Sequence, residues 1–187
     1  MKAIRLAAPN QPLEVADLPT PEPGQGEVLV RVAGCGVCHT DIGFWREGVP
    51  TRHPLPLTLG HEVAGTVEAA GAPWAHLVGR EVVVSAVIPC GNCGLCAGGR
   101  GNICRRQKMP GNDIDGGFAE YVVVPGHGVC PVENRGCHPL EHLSVVADAV
   151  STAYQAVVRS GLGAGDLAVV VGAGGVGIYA VQIASAL

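Results

Sequence analysis

Four of the chain's eight cysteines, Cys90, Cys93, Cys96 and Cys104, fall within one short glycine-rich segment. Their spacing, C-x2-C-x2-C-x7-C, allows four thiolates to surround one tetrahedral metal ion with no position left for water. The intervening glycines permit the sharp turns that such wrapping requires. A disulfide cluster, a redox pair and an iron–sulfur cluster are the alternatives. We expect a metal site, because clustered cysteines in a reducing compartment are more often ligands than disulfides.

A second set of donors is spread over the segments GCGVCHTDIG and LGHEVAGTV. Cys38 and His61 offer a thiolate and an imidazole, which are both good zinc ligands. Asp41 and Glu62 are close to them in sequence, and their carboxylates could orient the metal ligands through hydrogen bonds without binding the metal. Thr40 adds a hydroxyl that could hydrogen-bond a substrate oxygen at the metal. Each residue alone is weak evidence, since an isolated cysteine or histidine is usually a core residue.

A third pattern, VVVGAGGVG, places Gly172, Gly174, Gly175 and Gly177 after an apolar run and before an apolar helix. This context is typical of a dinucleotide pyrophosphate site at a helix N-terminus. The alternative is a glycine-rich turn that binds nothing. The acidic residue that separates NAD from NADP stands about twenty positions further on, beyond residue 187.

Composition excludes several classes of function. The chain has 187 residues, of which 48% are hydrophobic and 15% charged, and its net charge is -4. This balance argues against a nucleic-acid partner. No apolar run is long enough to cross a bilayer, and the N-terminus lacks the pattern of a signal peptide. We therefore expect a cytoplasmic protein with no membrane partner.

Short β-branched runs separated by glycine and proline predict an antiparallel barrel or sandwich up to about residue 130. The runs are MKAIRLA, EVLVRVAG, GTVEAAG, GREVVVSAVI and FAEYVVVP. After Pro139 the spacing predicts two helices with SVVADAVS at their junction, and then a strand, a glycine loop and a helix. One parallel strand needs neighbours, so we expect the chain to be a fragment of a longer protein.

The chain resembles the zinc-dependent medium-chain alcohol dehydrogenases in the order and the intervals of four motifs. These motifs are GxxxCHTD, GHExxGxV, CGxCxxCxxGxxxxC and GxGxxG. The resemblance implies a mainly β, GroES-like zinc-binding catalytic domain over residues 1–150. The truncated start of an α/β Rossmann domain would follow over residues 151–187. It also implies a structural and a catalytic zinc in each full-length subunit, NAD or NADP as cofactor, and a homodimer or homotetramer.

The same resemblance implies a role for each metal ligand. The four clustered cysteines look like the structural zinc ligands, and Cys38 and His61 look like catalytic zinc ligands. Many members place a cysteine as the third catalytic ligand, just before the linking helix. Here ADAVSTAYQAV has no cysteine, and Asp148 occupies that position. Some members use aspartate there, so we expect Asp148 to be the third ligand.

Proton and cofactor roles carry over in the same way. Thr40 matches the hydroxyl that passes the substrate proton, and Asp41 resembles the carboxylate that orients the zinc-binding histidine. Glu62 resembles a carboxylate that reaches the metal in some states, and His39 is similar to a residue near the cofactor phosphates. Many members have a histidine relay three residues after the threonine, where this chain has Gly43.

The resemblance implies hydride transfer between a nicotinamide cofactor and a secondary alcohol or ketone. Two segments are also similar to the 6-hydroxycyclohex-1-ene-1-carbonyl-CoA dehydrogenases, namely GFWREGVPTRHPLPLTLGHE and PGNDIDGGFAEYVVVP. This similarity implies a cyclic hydroxyacyl-CoA substrate. The alternatives are a zinc-free quinone or enoyl reductase of the same superfamily, or a zinc-stabilised binding or scaffold domain without catalysis. We expect the chain alone to be inactive, because the glycine loop lacks neighbouring strands.

Overall fold

The computed structural model describes all residues from 1 to 187 and contains eight β-strands and four α-helices. The strands are β1 (Lys2–Leu6), β2 (Glu14–Asp17), β3 (Glu27–Gly36), β4 (Leu57–Thr58), β5 (Glu62–Ala70), β6 (Glu81–Val84), β7 (Tyr121–Pro125) and β8 (Val129–Pro131). The α-helices are α1 (His39–Arg46), α2 (Gly94–Ala97), α3 (Ala149–Ser160) and α4 (Gly175–Ser185). Short 3-10 helices cover Ala75–Leu77, Gly101–Ile103, Gly126–Gly128 and Leu140–Ala147.

Two antiparallel sheets form the framework of the fold. The larger has the strand order β7-β3-β5-β6-β8, and the smaller has the order β2-β1-β4. Valines at every second position of β3, β6 and β7 point into one core, as a period of two residues requires. The core comprises Val28, Val30, Val63, Val67, Leu77, Val82, Val84, Ile88, Val122 and Val124. The predicted mainly β architecture is confirmed.

A smaller apolar cluster fixes α1 beside the smaller sheet. Phe44 of α1 packs with Leu6, Leu57 and Leu59, and all four side chains are buried. Burial of a leucine or phenylalanine side chain contributes roughly 1.5–3 kcal/mol. The cluster therefore anchors the helix that begins directly after Cys38.

The chain after Pro139 differs from the two predicted α-helices. Leu140–Ala147 is a 3-10 helix packed over β3 and β5, and only the following segment, α3, is α-helical. The close approach depends on Gly34, because a Cβ there would overlap Glu141. Helix α3 buries Ala153 and Val157 and ends at Gly161, whose φ of 73° suits a glycine.

The predicted strand over residues 167–171 does not form. Leu167 and Val171 are 90% and 96% exposed, because no neighbouring strand offers them hydrogen bonds or a covered face. Helix α4 does form, as predicted, and packs on α3. No helix in the structure is both long enough and apolar enough to cross a bilayer.

Candidate metal centres and glycine loop

The pairing of β3 with β5 brings the first two predicted ligands together. The end of β3 lies opposite the start of β5, with Gly36 paired to Glu62. Cys38 follows β3 and precedes α1, and His61 immediately precedes β5. The 3-10 helix that crosses this sheet ends at Asp148, which joins it to α3. Three segments distant in sequence thus deliver one thiol, one imidazole and one carboxylate.

The distances between these donors fit a tetrahedral zinc. One ligand atom from each of Cys38, His61 and Asp148 lies within 4.8 Å of the others. Asp148 Oδ2 is 3.3 Å from His61 Nε2 and 3.7 Å from Cys38 Sγ. Ordinary zinc–ligand bond lengths place tetrahedral ligands about 3.3 Å apart for nitrogen and oxygen, and about 3.6 Å apart for sulfur and oxygen. A three-ligand set of this kind leaves one position for substrate or water.

The carboxylate of Asp41 lies on the far side of His61. It is 3% exposed, and its Oδ1 is 3.6 Å from His61 Nδ1, longer than an ordinary hydrogen bond. The same carboxylate accepts the N–H groups of Cys38 (2.9 Å) and Gly60 (3.2 Å). Asp41 therefore fixes the backbone beside both ligands and places a negative charge next to Nδ1, while Nε2 faces Asp148.

Charge around His61 favours its protonated form. Burial alone lowers its pKa, but contacts with the carboxylates of Asp148 and Asp41 outweigh it and raise the pKa to about 10. The contact with His61 lowers the pKa of Asp148 in turn. Imidazole binds a metal only in its neutral form, so a bound cation takes the place of this proton.

Glu62 supports the start of α3. Its Oε1 accepts the N–H of Ala149 at 3.2 Å, which satisfies one of the free donors at the helix N-terminus. Burial raises the pKa of Glu62. A Cβ on Gly36 would overlap the other carboxylate oxygen, so this glycine makes room for it.

Two further predicted residues lie at the start of α1. Thr40 Oγ1 is 3.6 Å from Cys38 Sγ, so the hydroxyl lies next to the ligand cluster. The exposed ring of His39 is 3.6 Å from Glu47 and does not join the cluster. Gly43 lies on the buried side of α1.

The four clustered cysteines form a separate cage. The Sγ atoms of Cys93 and Cys96 are 3.5 Å apart, those of Cys93 and Cys104 are 3.8 Å apart, and those of Cys90 and Cys96 are 4.0 Å apart. A disulfide bond would require about 2.05 Å, which excludes that alternative. Four thiolates around one zinc have S···S distances of about 3.8 Å. The cage therefore fits a structural zinc.

Backbone N–H groups stabilise charge on the cage. The N–H of Asn92 lowers the pKa of Cys90 to about 6, and the N–H of Cys96 lowers that of Cys93. Burial raises the pKa of Cys96 to about 11. Cys104 accepts hydrogen bonds from the N–H groups of Cys90 and Arg106, both at 3.4 Å. Donors of this kind favour thiolates, the form in which cysteine binds metals.

The glycine loop leads directly into α4, although the strand predicted before it does not form. Gly172 has a φ of 91°, Gly174 is extended, and α4 begins at Gly175. A Cβ on Gly177 would overlap the carbonyl oxygen of Gly172, so the loop and the helix pack as closely as only glycine allows. The free N–H groups at the start of α4 suit a phosphate.

One contact of the site was not predicted from the sequence. Thr152 donates its hydroxyl to Asp148 Oδ1 at 2.7 Å. Both residues line an open cleft of about 830 Å³ between α3 and strands β6 and β8. The spacing of four residues at a helix start was a signal that could have indicated this contact.

Comparison with known proteins identifies the family. The alcohol dehydrogenase GroES-like domain matches residues 24–134. An alcohol dehydrogenase of Geobacillus stearothermophilus is 35% identical over 189 residues, which cover 100% of this chain and 56% of that protein. The chain therefore belongs to the zinc-dependent medium-chain alcohol dehydrogenase family, and the resemblance drawn from its motifs is confirmed.

Two further relatives show the range of this similarity. A D-arabinose 1-dehydrogenase (NADP(+)) of Saccharolobus solfataricus is 37% identical over 193 residues, covering 100% of this chain and 54% of that protein. The cobalt- and zinc-bound thermostable alcohol dehydrogenase of Pyrobaculum aerophilum superimposes with a TM-score of 0.91 at 34% identity, covering 100% of this chain and 57% of that one. The chain spans about half the length of the relatives it matches.

Proposed function

We propose that this chain is the zinc-binding catalytic part of an oxidoreductase that moves a hydride between a secondary alcohol or ketone and NAD or NADP. In this proposal residues 1–150 form the catalytic domain, and residues 151–187 begin the dinucleotide-binding domain. Helix α3 joins the two. The observation that carries the proposal is the convergence of Cys38, His61 and Asp148 at zinc-binding distances.

A zinc ion held by Cys38, His61 and Asp148 would supply Lewis-acid polarisation of an alcohol or carbonyl oxygen. The chain's own residues handle the proton and the positioning. The Thr40 hydroxyl, beside Cys38, is placed to relay the proton that alcohol oxidation releases, taking up one proton as it gives up another. Asp41 holds the backbone beside Cys38 and His61, and Glu62 holds the start of α3 and with it Asp148. Gly43 carries no side chain to continue a relay, so the proton leaves Thr40 by another path.

The cofactor site follows from the glycine loop and from His39. The pyrophosphate of the dinucleotide would lie at Gly172, Gly174, Gly175 and Gly177, where α4 begins. The exposed imidazole of His39 is free to approach a cofactor phosphate. A nicotinamide bound here would accept the hydride at its C4, and the alcohol proton would pass through the Thr40 hydroxyl to solvent, so the alcohol would lose one hydride and one proton.

The substrate is proposed more narrowly as a cyclic hydroxyacyl-CoA, with simple secondary alcohols as the alternative. Between Glu81 and Asp113 the chain has no acidic residue, although this stretch carries Arg100, Arg105, Arg106 and Lys108. Four cations near the cysteine cage could attract the phosphates of CoA as well as offset thiolate charge. A homodimer or homotetramer is the proposed assembly.

Hydride transfer by the whole protein tests the proposal. Nicotinamide absorbance is followed with NAD and with NADP, against secondary alcohols and cyclic hydroxyacyl-CoA thioesters. We expect turnover that is lost in Cys38→Ala and reduced in Thr40→Ala. Turnover that survives the removal of zinc would favour a zinc-free reductase, and zinc binding without turnover would favour a scaffold domain. The chain of residues 1–187 alone is expected to be inactive.

A further inference from the structure

We propose that Thr152 is a positioning residue that holds one oxygen of Asp148 away from the metal, so that Asp148 binds through its other oxygen alone. The inference rests on the proposed function, because it assumes a metal ion at Cys38, His61 and Asp148. Thr152 forms no hydrogen bond with Cys38 or His61, so it acts only through Asp148.

The two oxygens of Asp148 have different partners. Oδ1 accepts the Thr152 hydroxyl at 2.7 Å, whereas Oδ2 lies 3.3 Å from His61 Nε2 and 3.7 Å from Cys38 Sγ. The carboxylate is thus divided between a protein partner and the ligand cluster. Oδ2 alone faces the other two donors.

The hydrogen bond to Oδ1 matters because an aspartate ligand, unlike a cysteine ligand, has a second donor atom that could also bind the metal. A thiolate offers one donor atom, but a carboxylate offers two and can bind a metal through both. Binding through both oxygens would occupy the position that a catalytic zinc keeps open for substrate. A hydrogen bond to Oδ1 opposes that second contact, in the way that outer partners orient ligating carboxylates.

Helix α3 sets the contact in place. Thr152 follows Asp148 by four residues, one helical turn, and its backbone N–H donates to the Asp148 carbonyl at 2.7 Å. The neighbouring Ser151 makes different contacts, because its hydroxyl donates to the carbonyl oxygens of Ala147 (3.1 Å) and Asp148 (3.2 Å). Ser151 is therefore a matched control that lies on the same turn but does not touch the carboxylate.

The test measures metal binding rather than turnover. Cobalt(II) is loaded into the wild-type protein and into Thr152→Val, Thr152→Ser and Ser151→Ala, and its affinity is measured by competition with a chelator. We expect Thr152→Val to weaken cobalt binding at the Cys38 site by about 10- to 100-fold and to shift its visible spectrum toward a higher coordination number. Thr152→Ser and Ser151→Ala should bind as the wild type does.

A double-mutant cycle separates orientation of the carboxylate from a general structural role. In an Asp148→Cys background there is no second oxygen to restrain, so adding Thr152→Val should change cobalt affinity by less than about twofold. An equal loss in both backgrounds would show that Thr152 acts on the helix and not on the carboxylate, and would overturn the inference.

The outcomes also distinguish this inference from the proposed function. If the wild type takes up a second metal that Cys38→Ala loses, but Thr152→Val keeps its affinity and spectrum, only the role of Thr152 is overturned. If wild type and Cys38→Ala hold the same single metal, the proposed catalytic site and the inference both fail.

Discussion

Replacing Asp41 by asparagine tests how the site is held together. Its two carboxylate oxygens accept N–H groups from Cys38 and Gly60 and face Nδ1 of His61. Asparagine has one acceptor oxygen and an NH₂ group, so at least one of these buried donors must face another donor. A charge-assisted hydrogen bond contributes about 1.5–3 kcal/mol, and an unpaired buried donor adds about 1–3 kcal/mol. We expect Asp41→Asn to lower the free energy of unfolding by about 2.5–6 kcal/mol.

Denaturant unfolding of the chelator-treated chain measures this loss without any contribution from zinc. Asp17→Asn is the control, because the Asp17 side chain is 81% exposed and its ion pair with Lys2 should contribute little. Zinc affinity at the Cys38 site should also fall in Asp41→Asn, by about 10- to 100-fold, because the backbone beside both ligands loses its acceptor and His61 loses the negative charge next to Nδ1. If Asp41→Asn were as stable as Asp17→Asn, the argument that Asp41 holds the ligand segments would be refuted.

Two further variants and one alkylation experiment test other parts of the structure. Cys96→Ser removes one thiolate of the cage, so elemental analysis should show one zinc ion fewer per chain. The glycine-rich segment around the cage should also become sensitive to protease. An unchanged zinc content would contradict the assignment of the cage as a metal site. Burial raises the pKa of Cys35 to about 12, so only about one Cys35 thiol in ten thousand is ionised near pH 8. Alkylation, followed by mass spectrometry, should therefore be far slower at Cys35 than at the exposed Cys130. Equal rates at the two thiols would disprove that burial. Gly36→Ala places a methyl group against Glu62 and should lower the free energy of unfolding by about 1–3 kcal/mol, and a variant as stable as the parent would show that the site tolerates the shift.

The β-rich part of the fold could be predicted because two sequence features agree there, the two-residue alternation of apolar residues and the glycine and proline residues that bound each run. Alternating valines in β3 and β7, bounded by glycine and proline, leave little choice but a half-buried strand. The segment Leu140–Ala147 could not be assigned in the same way. Its apolar spacing suits several helical forms, and its 3-10 geometry is observed where it crosses β3 and β5.

The run over residues 167–171 shows the limit of local sequence preference. Its valines have high strand propensity, but a strand exists only with hydrogen-bonded neighbours, and the chain provides none for it. Helix α4 forms beside it because a helix satisfies its own backbone hydrogen bonds.

The composition of the site could be predicted further than its internal contacts. The types and spacing of the cysteines are consistent with the cage, and the family motif indicated Cys38, His61 and Asp148 as a second set. The structure brings the donor atoms within each set close together and keeps the two sets separate. The Thr152 contact depends on the position of Asp148 just before α3, a boundary that the pattern did not resolve. The closeness of Glu62 to Ala149 depends on tertiary packing across 87 residues.

Zinc content per chain, measured on wild type and on Cys38→Ala, tests the central claim most directly. The structure has two separate donor sets, and Cys38 belongs to only one of them. We expect two zinc ions in the wild type and one in Cys38→Ala, with the cysteine cage still occupied. A single zinc ion that is unchanged by Cys38→Ala would contradict the assignment of Cys38, His61 and Asp148 as a metal site.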